Sequence, residues 1–277
     1  MGLFRLTRVP NLIILAITQY LVAIFLFEDK HLTNVLLDIK LLLLILSTNM
    51  IAAAGYIIND YYDTKVDYVN RPRKVVVGRI IDRRFVIAIH TALNVVAVFI
   101  GLYISSKIAL VHFVSSFLLW LHSNQLKRLP LLGNLVIGIL AGLSIWIISL
   151  YFQETNLIVL TYSLFAFFIN LIREILKDLE GQKGESKFGS KALPSWLGIR
   201  RTKRLLFVVI LAATSSLTIF LMTINNSVLT TYFVILVPIF GYFCYRLFKA
   251  DTIERFAFLT NFANFILLTG LISITFF

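Results

Sequence analysis

The sequence predicts an all-α, polytopic membrane protein of nine transmembrane helices with a cytoplasmic N-terminus. Hydrophobic residues fill 59% of the 277 positions and charged residues only 14%, whereas soluble domains average about 45–50% and about 25%. A soluble domain could not bury that much apolar surface. Apolar runs near the roughly 17–25 residues that cross a hydrocarbon core recur along the chain. We therefore expect residues 1–277 to form one membrane-embedded domain.

The predicted spans follow one another with charged or turn-forming residues between them. They are Val9–Phe27, Leu41–Ile58, Phe85–Ser105, Ile108–Leu121, Leu131–Tyr151, Leu157–Ile172, Leu205–Ile224, Val228–Phe248 and Phe256–Phe277. The first span follows Arg5 and Arg8 as a signal peptide would. However, no small-residue cleavage site precedes Glu28, so we expect this span to be retained.

The fourth span is the shortest, and its 14 residues cover only about 21 Å at about 1.5 Å per residue. The distribution of positive charge supports it, since Lys and Arg collect in cytoplasmic loops. With nine spans, all but three of the 26 Lys and Arg residues lie inside, the exceptions being Lys30, Lys40 and Lys107. This topology predicts a multi-pass protein of a bacterial or archaeal cell membrane, with its polar loops in the cytoplasm.

The net charge of +12 could suggest a nucleic-acid partner, because basic stripes neutralise phosphates. Inward-facing membrane loops carry such an excess anyway, so we expect the lipid bilayer and no nucleic acid as a partner. Cys244 is the only cysteine, which excludes an intrachain disulfide and a paired-thiol redox motif.

The first long polar segment, about residues 59–84, opens with Asn59, Asp60, Asp63 and Asp67 directly after the second span. If the helix continues, about 100° per residue places these four side chains on one face. Three carboxylates so close together repel unless a cation compensates. Mg²⁺ is commonly held by one or two carboxylates together with substrate phosphates. The cluster therefore predicts half of a metal–diphosphate site, with the three aspartates as metal ligands.

The second polar segment, about residues 173–204, also opens with acids. Glu174, Asp178 and Glu185 share one face of a helical projection, although Gly181 and Gly184 argue against a continuous helix there.

Cations surround both acidic runs. Arg71, Arg73, Lys74 and Arg79 follow the first, and Arg173, Lys177, Lys183, Lys187 and Lys191 accompany the second. Carboxylates that hold a metal and cations that hold phosphate oxygens are the two kinds of group that ionisation of a diphosphate ester requires. A simpler interpretation is a solvated helix end paired with nearby lysines, but a second acidic cluster on the same side favours the site.

Three stretches resemble a known family. The pattern N-D-x-x-D-x-x-x-D at residues 59–67, followed by VNRPRKVVVGRI, is similar to the first signature of the UbiA superfamily of membrane prenyltransferases. LKRLPLLGN, which contains Lys127, Arg128 and Asn134, is similar to that group's segment between helices four and five. REILKDLEGQKGESKFGSKALP resembles its second signature, most nearly that of the digeranylgeranylglyceryl phosphate synthase branch.

The resemblance implies a helical ring around a central cavity, capped by the two polar segments on the cytoplasmic side. It implies a catalytic role for Asp60, Asp63, Asp67 and Asp178. Substrate would contact Asn59, Arg71, Arg73, Lys74, Lys127, Arg128, Asn134, Arg173, Lys177 and Lys183. Mg²⁺ would be bound by Asp60, Asp63, Asp67, Asp178 and Glu185.

The second motif departs from the branch, which has Asp, Glu and Asp where this chain has Gly181, Lys183 and Glu185. A second metal would then be bound by Asp178 and Glu185, be bound weakly, or be replaced by the Lys183 charge; loss of activity is a further alternative.

The predicted activity is Mg²⁺-dependent transfer of an isoprenyl group from a prenyl diphosphate, such as geranylgeranyl diphosphate, to a lipophilic or anionic acceptor. Geranylgeranylglyceryl phosphate suits a basic site, and an aromatic acid of quinone biosynthesis is the runner-up. A non-catalytic lipid-binding protein or a transporter is the alternative class. Transport would favour ionisable residues near the bilayer midplane and broken helices, whereas this chain keeps nearly all its charge at the inner boundary.

Overall fold

The computed structural model describes residues 2–27, 32–70, 75–185, 193–224 and 226–277, with the backbone alone at residues 2, 3, 65, 66, 69, 70 and 182–185. Across these ranges the chain forms α-helices and no β-strand, which confirms the predicted all-helical class. The helices are α1(Gly2–Leu6), α2(Val9–Phe25), α3(Leu32–Leu36), α4(Ile39–Asn70), α5(Arg83–Ile104), α6(Ser106–Asn124), α7(Leu132–Phe152), α8(Leu157–Glu185), α9(Leu193–Leu197), α10(Ile199–Ile224), α11(Ser227–Phe248) and α12(Ile253–Ser273).

Seven of the described helices are long and apolar enough to cross a bilayer: α4, α5, α7, α8, α10, α11 and α12. Large apolar side chains stay exposed on them, and only 22% of the most apolar window of α5 is buried within the protein. Apolar surface of this kind is stable against lipid and not against water. The chain is therefore an integral, multi-pass membrane protein.

The predicted first and fourth spans lie on α2 and α6. Within the described residues, these two helices are not both long and apolar enough to be counted as membrane spans. α2 has 17 residues. α6 has 19 residues and covers the predicted fourth span, but it includes Lys107, His112 and His122, which lower its hydropathy. The count of nine spans and the cytoplasmic N-terminus remain predictions.

Both polar segments begin as the continuation of a helix. α4 continues through Asn59 to Asn70, and α8 continues past Gly181 to Glu185. A helix that outlasts its apolar run carries polar residues beyond the hydrocarbon core, so both acidic runs stand on helix ends.

The backbone forms two compact units, residues 1–127 with 147–155 and residues 128–146 with 156–277. In the first unit α4 packs against α5 and α6. Leu6 of α1 joins Ile57, Val76, Val77 and Val86 in a buried cluster beside the polar end of α4. In the second unit α8 packs against α10 and α12.

Small residues allow close helix contacts in the second unit. A Cβ at Gly138 would lie 3.0 Å from the Phe167 carbonyl oxygen, and one at Gly142 would lie 2.9 Å from the Ser163 carbonyl oxygen. Both glycines lie on α7, one turn apart, and face α8. This small-residue spacing is typical of helices that pack closely in membranes.

Gly101 has the same role between α5 and α6, and we expect Gly101→Ala to destabilise the protein. The new Cβ would lie 2.8 Å from His112 Nδ1 and 3.0 Å from the Ala109 Cα. His112 cannot retreat easily, since it is 1% exposed and lies 3.2 Å from the Ala97 carbonyl oxygen. Overpacking of this kind costs about 1–3 kcal/mol, measurable as a lower midpoint of thermal unfolding in detergent.

Gly241→Ala is the matched control, because Gly241 also lies inside a helix and its Cβ would meet no atom within 4 Å. Removing glycine from a helix raises stability by up to about 1 kcal/mol, so this variant should unfold at the wild-type temperature or above it. Equal midpoints for the two variants would contradict the close α5–α6 contact.

Candidate active site

The predicted first acidic cluster, Asn59, Asp60, Asp63 and Asp67, lies on the polar end of α4. Because α4 is helical throughout, the four residues share the face predicted from their spacing. The Asn59 amide donates to Asp63 Oδ2 at 3.0 Å, and Thr64 Oγ1 donates to the Asp60 carbonyl oxygen at 3.0 Å. These contacts within α4 hold the carboxylates on a stiff element.

The buried cluster around Leu6 stabilises this end of α4 from the side. Val76 and Val77 pack with Ile57, one half-turn before Asn59. The chain then turns at Gly78, whose φ is +76° and whose N–H donates to the Ile81 carbonyl at 2.8 Å. A residue with a Cβ would be strained at this φ. Asp82 caps the start of α5 by accepting from the Arg84 N–H at 3.0 Å.

Two cations from other segments pair with the first two carboxylates. Arg8 Nη2 lies 3.2 Å from Asp60 Oδ1, and Lys127 Nζ lies 2.6 Å from Asp63 Oδ1. Lys127 belongs to a 3₁₀ turn at Leu126–Arg128 after α6. The two aspartate side chains stay 25% and 28% exposed, so a ligand can reach them.

These residues fit a magnesium site that is completed by substrate. In the described part of the chain, no group of three or more His, Cys, Asp or Glu side chains is arranged to hold a metal by itself. Mg²⁺ is commonly held by one or two carboxylates together with phosphate oxygens of the substrate. Asp60 and Asp63 offer the two carboxylates of such a site. The paired cations show that this face already attracts positive charge.

A second acidic cluster, Glu174 and Asp178, lies on α8 in the second unit. The Asn134 amide donates to Asp178 Oδ2 at 2.9 Å, and the Leu193 N–H also hydrogen-bonds Asp178. The structure thus brings Asn134 and Asp178 together, as expected if both serve one site. Leu193 is the first residue of α9, so this hydrogen bond also links α8 to α9.

Two predicted substrate-binding cations surround Glu174. Lys177 Nζ lies 2.7 Å from Glu174 Oε1, and Arg173 Nη2 lies 3.7 Å from the same oxygen. Arg173 also donates to Asn170 Oδ1 at 2.7 Å. This end of α8 thus combines carboxylates with cations, as the sequence predicted.

Several predicted residues cannot be placed at the site. Arg71, Arg73 and Lys74 lie outside the described residues, and the side chains of Lys183 and Glu185 are not described. The backbone of α8 puts Glu185 seven residues, about two turns, after Asp178. Arg128 is exposed and takes part in no ion pair of the described chain.

The predictions from sequence missed Arg8. Its position before the first span identified it only as a topology signal, and its side chain also lies over the Tyr56 ring, with Cζ 4.7 Å from the ring centroid. No spacing in the sequence links residues 52 positions apart.

A separate surface cavity of about 440 Å³ is lined by Leu129, Pro130, Ser195 and Trp196 and contains none of the predicted site residues.

Comparisons with known proteins agree with the sequence motifs. The model of the UbiA prenyltransferase family matches residues 13–266. The chain is 32% identical over 221 residues to digeranylgeranylglyceryl phosphate synthase from Sulfurisphaera tokodaii, and the match covers 76% of each chain.

Two solved structures share the fold over nearly their whole length. One is reported for digeranylgeranylglyceryl phosphate synthase in membranes, with a TM-score of 0.79 at 22% identity, over 99% of this chain and 96% of the other. The other is a UbiA homolog from Archaeoglobus fulgidus bound to DMAPP and Mg²⁺, with a TM-score of 0.72 at 15% identity, over 100% of both chains.

Proposed function

Because the chain belongs to the UbiA prenyltransferase family, we propose that it transfers a geranylgeranyl group from geranylgeranyl diphosphate to geranylgeranylglyceryl phosphate with the help of Mg²⁺. The name of the Sulfurisphaera tokodaii relative supports this pair of substrates. The bound ligands of the Archaeoglobus fulgidus homolog support a prenyl diphosphate and a magnesium ion. We place the site at the cytoplasmic face, since nearly all Lys and Arg residues lie on the side of the acids in the predicted topology.

The first acidic cluster carries the proposal. Asp60 and Asp63 present carboxylates one turn apart, and each attracts a cation from another segment. Together with Asp67 and the Asn59 amide, they would hold magnesium beside the donor's diphosphate. When bound, the metal would withdraw charge from the diphosphate oxygens and so weaken the allylic C–O bond.

Cations of the chain stabilise the leaving group. Lys127 Nζ lies 2.6 Å from a carboxylate oxygen of the cluster, so it would be close to a diphosphate that binds there through magnesium. Arg71, Arg73, Lys74 and Arg128 would supply further positive charge. Fixed charges of this kind favour the transition state because diphosphate gains charge as the bond breaks.

The second acidic cluster offers the same two kinds of group, carboxylates for a metal and cations for phosphate oxygens. Asp178 is oriented by the Asn134 amide, and we propose it as a metal ligand, with Glu185 as its partner or Lys183 as a substitute charge. Arg173 and Lys177 would bind phosphate oxygens. Glu174 holds Lys177 in place at 2.7 Å.

The reaction balances without a redox step. The allylic C–O bond of the donor breaks and its electrons leave with the diphosphate. The acceptor hydroxyl oxygen then forms the new C–O bond with the allylic carbon, and its proton passes to the released diphosphate. Apolar side chains around the prenyl chain must exclude water, because water would otherwise attack the same carbon.

The acceptor decides between two functions. Arg and Lys recognise the phosphate of geranylgeranylglyceryl phosphate, and Arg also binds the carboxylate of an aromatic acid. Membranes that contain the protein should therefore be incubated with Mg²⁺, geranylgeranyl diphosphate and either acceptor, and the extracted lipid analysed by mass spectrometry.

We expect one new ether lipid, formed with geranylgeranylglyceryl phosphate and absent when EDTA replaces Mg²⁺. Product with 4-hydroxybenzoate alone would favour the quinone pathway. Release of diphosphate without product from either acceptor would contradict the proposed acceptor class. Membranes from cells without the protein serve as the control.

A further inference from the structure

Arg8 adopts a backbone conformation that its side chain disfavours. Its φ of 50° and ψ of 52° lie in the left-handed region, which costs a residue with a Cβ roughly 1–2 kcal/mol. Among the described residues only Leu131 and Gln153 share this property without being glycine. Non-glycine residues persist there when surrounding contacts fix them, and they cluster at functional sites.

The contacts that fix Arg8 come from both sides. Before it, Leu6 is 1% exposed and packs into the buried cluster with Ile57. After it, the Asn11 N–H donates to the Arg8 carbonyl at 2.9 Å. The turn between α1 and α2 is therefore held against α4 beside the first acidic cluster.

This turn directs the guanidinium onto α4. Nη2 donates to Asp60 Oδ1 at 3.2 Å, and Cζ lies 4.7 Å from the centroid of the Tyr56 ring, one turn earlier on α4. The Tyr56 hydroxyl accepts from the Asn11 amide at 3.4 Å. Ring and carboxylate together orient the planar cation.

Within the described part of the chain, most of the guanidinium's hydrogen-bonding capacity is not used by other residues. It carries five N–H donors, and one hydrogen bond to Asp60 uses one of them. The side chain is 45% exposed. A planar fork of donors matches phosphate oxygens, which Arg binds with two parallel hydrogen bonds.

We propose that Arg8 is a phosphate-binding residue of this site: it pairs with Asp60 when no metal is bound and turns to a phosphate oxygen of a substrate when the metal takes Asp60. The proposal rests on the proposed function for the phosphorylated substrates. Its ligand is a phosphate ester, which belongs either to the donor's diphosphate or to the acceptor's phosphate. Arg8 thereby extends the binding residues to the turn between α1 and α2.

Arg8→Gln tests this, with Arg5→Gln as the matched control. Arg5 lies three residues earlier and is exposed, so its replacement changes the charge equally. Binding in detergent should be measured calorimetrically with three probes: inorganic pyrophosphate with Mg²⁺, the thiolodiphosphate analogue of the donor with Mg²⁺, and the acceptor alone. We expect Arg8→Gln to weaken at least one substrate probe by about tenfold to a hundredfold.

Loss with pyrophosphate and the donor analogue identifies the donor as the partner of Arg8, and loss with the acceptor alone identifies the acceptor. Mn²⁺ binding without substrate, followed by electron paramagnetic resonance, should be unchanged or tighter in Arg8→Gln, because Arg8 no longer competes for Asp60. Arg8→Lys keeps the charge without the fork and should recover only part of the affinity.

Two results would overturn the proposal. One is affinity for all three probes within twofold of Arg5→Gln. The other is weaker Mn²⁺ binding in parallel with the other losses, since Arg8 would then only support Asp60. A wild-type protein that binds pyrophosphate but forms no product would contradict the proposed substrates and still leave the Arg8 comparison readable.

Discussion

Replacing Asp60 and Asp63 together with asparagine should lower the rate of prenyl transfer by at least about 1000-fold. Both carboxylates lie on one face of α4. Asp60 forms an ion pair with Arg8, and Asp63 forms one with Lys127. Asparagine keeps the size of each side chain but removes the negative charge that would hold magnesium. Single-turnover assays with geranylgeranyl diphosphate would measure the loss.

The same variant should remain folded. Its two lost ion pairs are partly exposed and of the kind that contributes about 0–1 kcal/mol, and the repulsion between neighbouring acids also disappears. Asp82→Asn is the control, because it removes an acid at the α5 N-cap, where asparagine caps about as well as aspartate. A double variant with activity near that of wild type would refute the metal assignment.

Asp178→Asn should reduce kcat by about 100-fold. The Asn134 amide and the Leu193 N–H hold this carboxylate in place. Asparagine keeps the size of the side chain, so the effect is expected to come from the lost negative charge. A fall in kcat with little change in the thermal midpoint would mark Asp178 as a catalytic ligand.

Two companions test that interpretation. Glu180→Gln removes an acid two residues along α8 and should leave kcat within about threefold, since surface charges have small effects. Asn134→Ala removes the amide that orients Asp178 and should cost about tenfold. Equal losses of stability in Asp178→Asn and Asn134→Ala, with kcat preserved, would show that Asp178 only ties α8 to α9.

The sequence predicted correctly that the first acidic residues share one face of a helix, because the evidence for this is local. Residues 59, 60, 63 and 67 follow an apolar run with helical spacing, and α4 is indeed helical to Asn70. The pairing of Asp63 with Lys127 could not be read from the chain, since it depends on how α4 and α6 pack. The same holds for Asn134 and Asp178, which are 44 positions apart.

Local signals misjudged the end of α8. Two glycines cost about 1 kcal/mol each in a helix, which argued against continuation past Gly181. Ile175, Leu176 and Leu179 are buried, and burial of one such side chain is worth about 1.5–3 kcal/mol. These contacts fix α8 up to the glycines, and the helix continues to Glu185 despite their intrinsic preference.

α4 carries the first acidic cluster on the same continuous helix that forms a membrane span. Its 32 residues span about 48 Å at about 1.5 Å per residue, so it exceeds a hydrocarbon core of about 30 Å and carries the aspartates on the excess. Thicker or thinner bilayers change the tilt of such a rod, and a 5° change would swing its tip by about 4 Å. The height of the aspartates above the hydrocarbon core therefore depends on the thickness of the bilayer around α4.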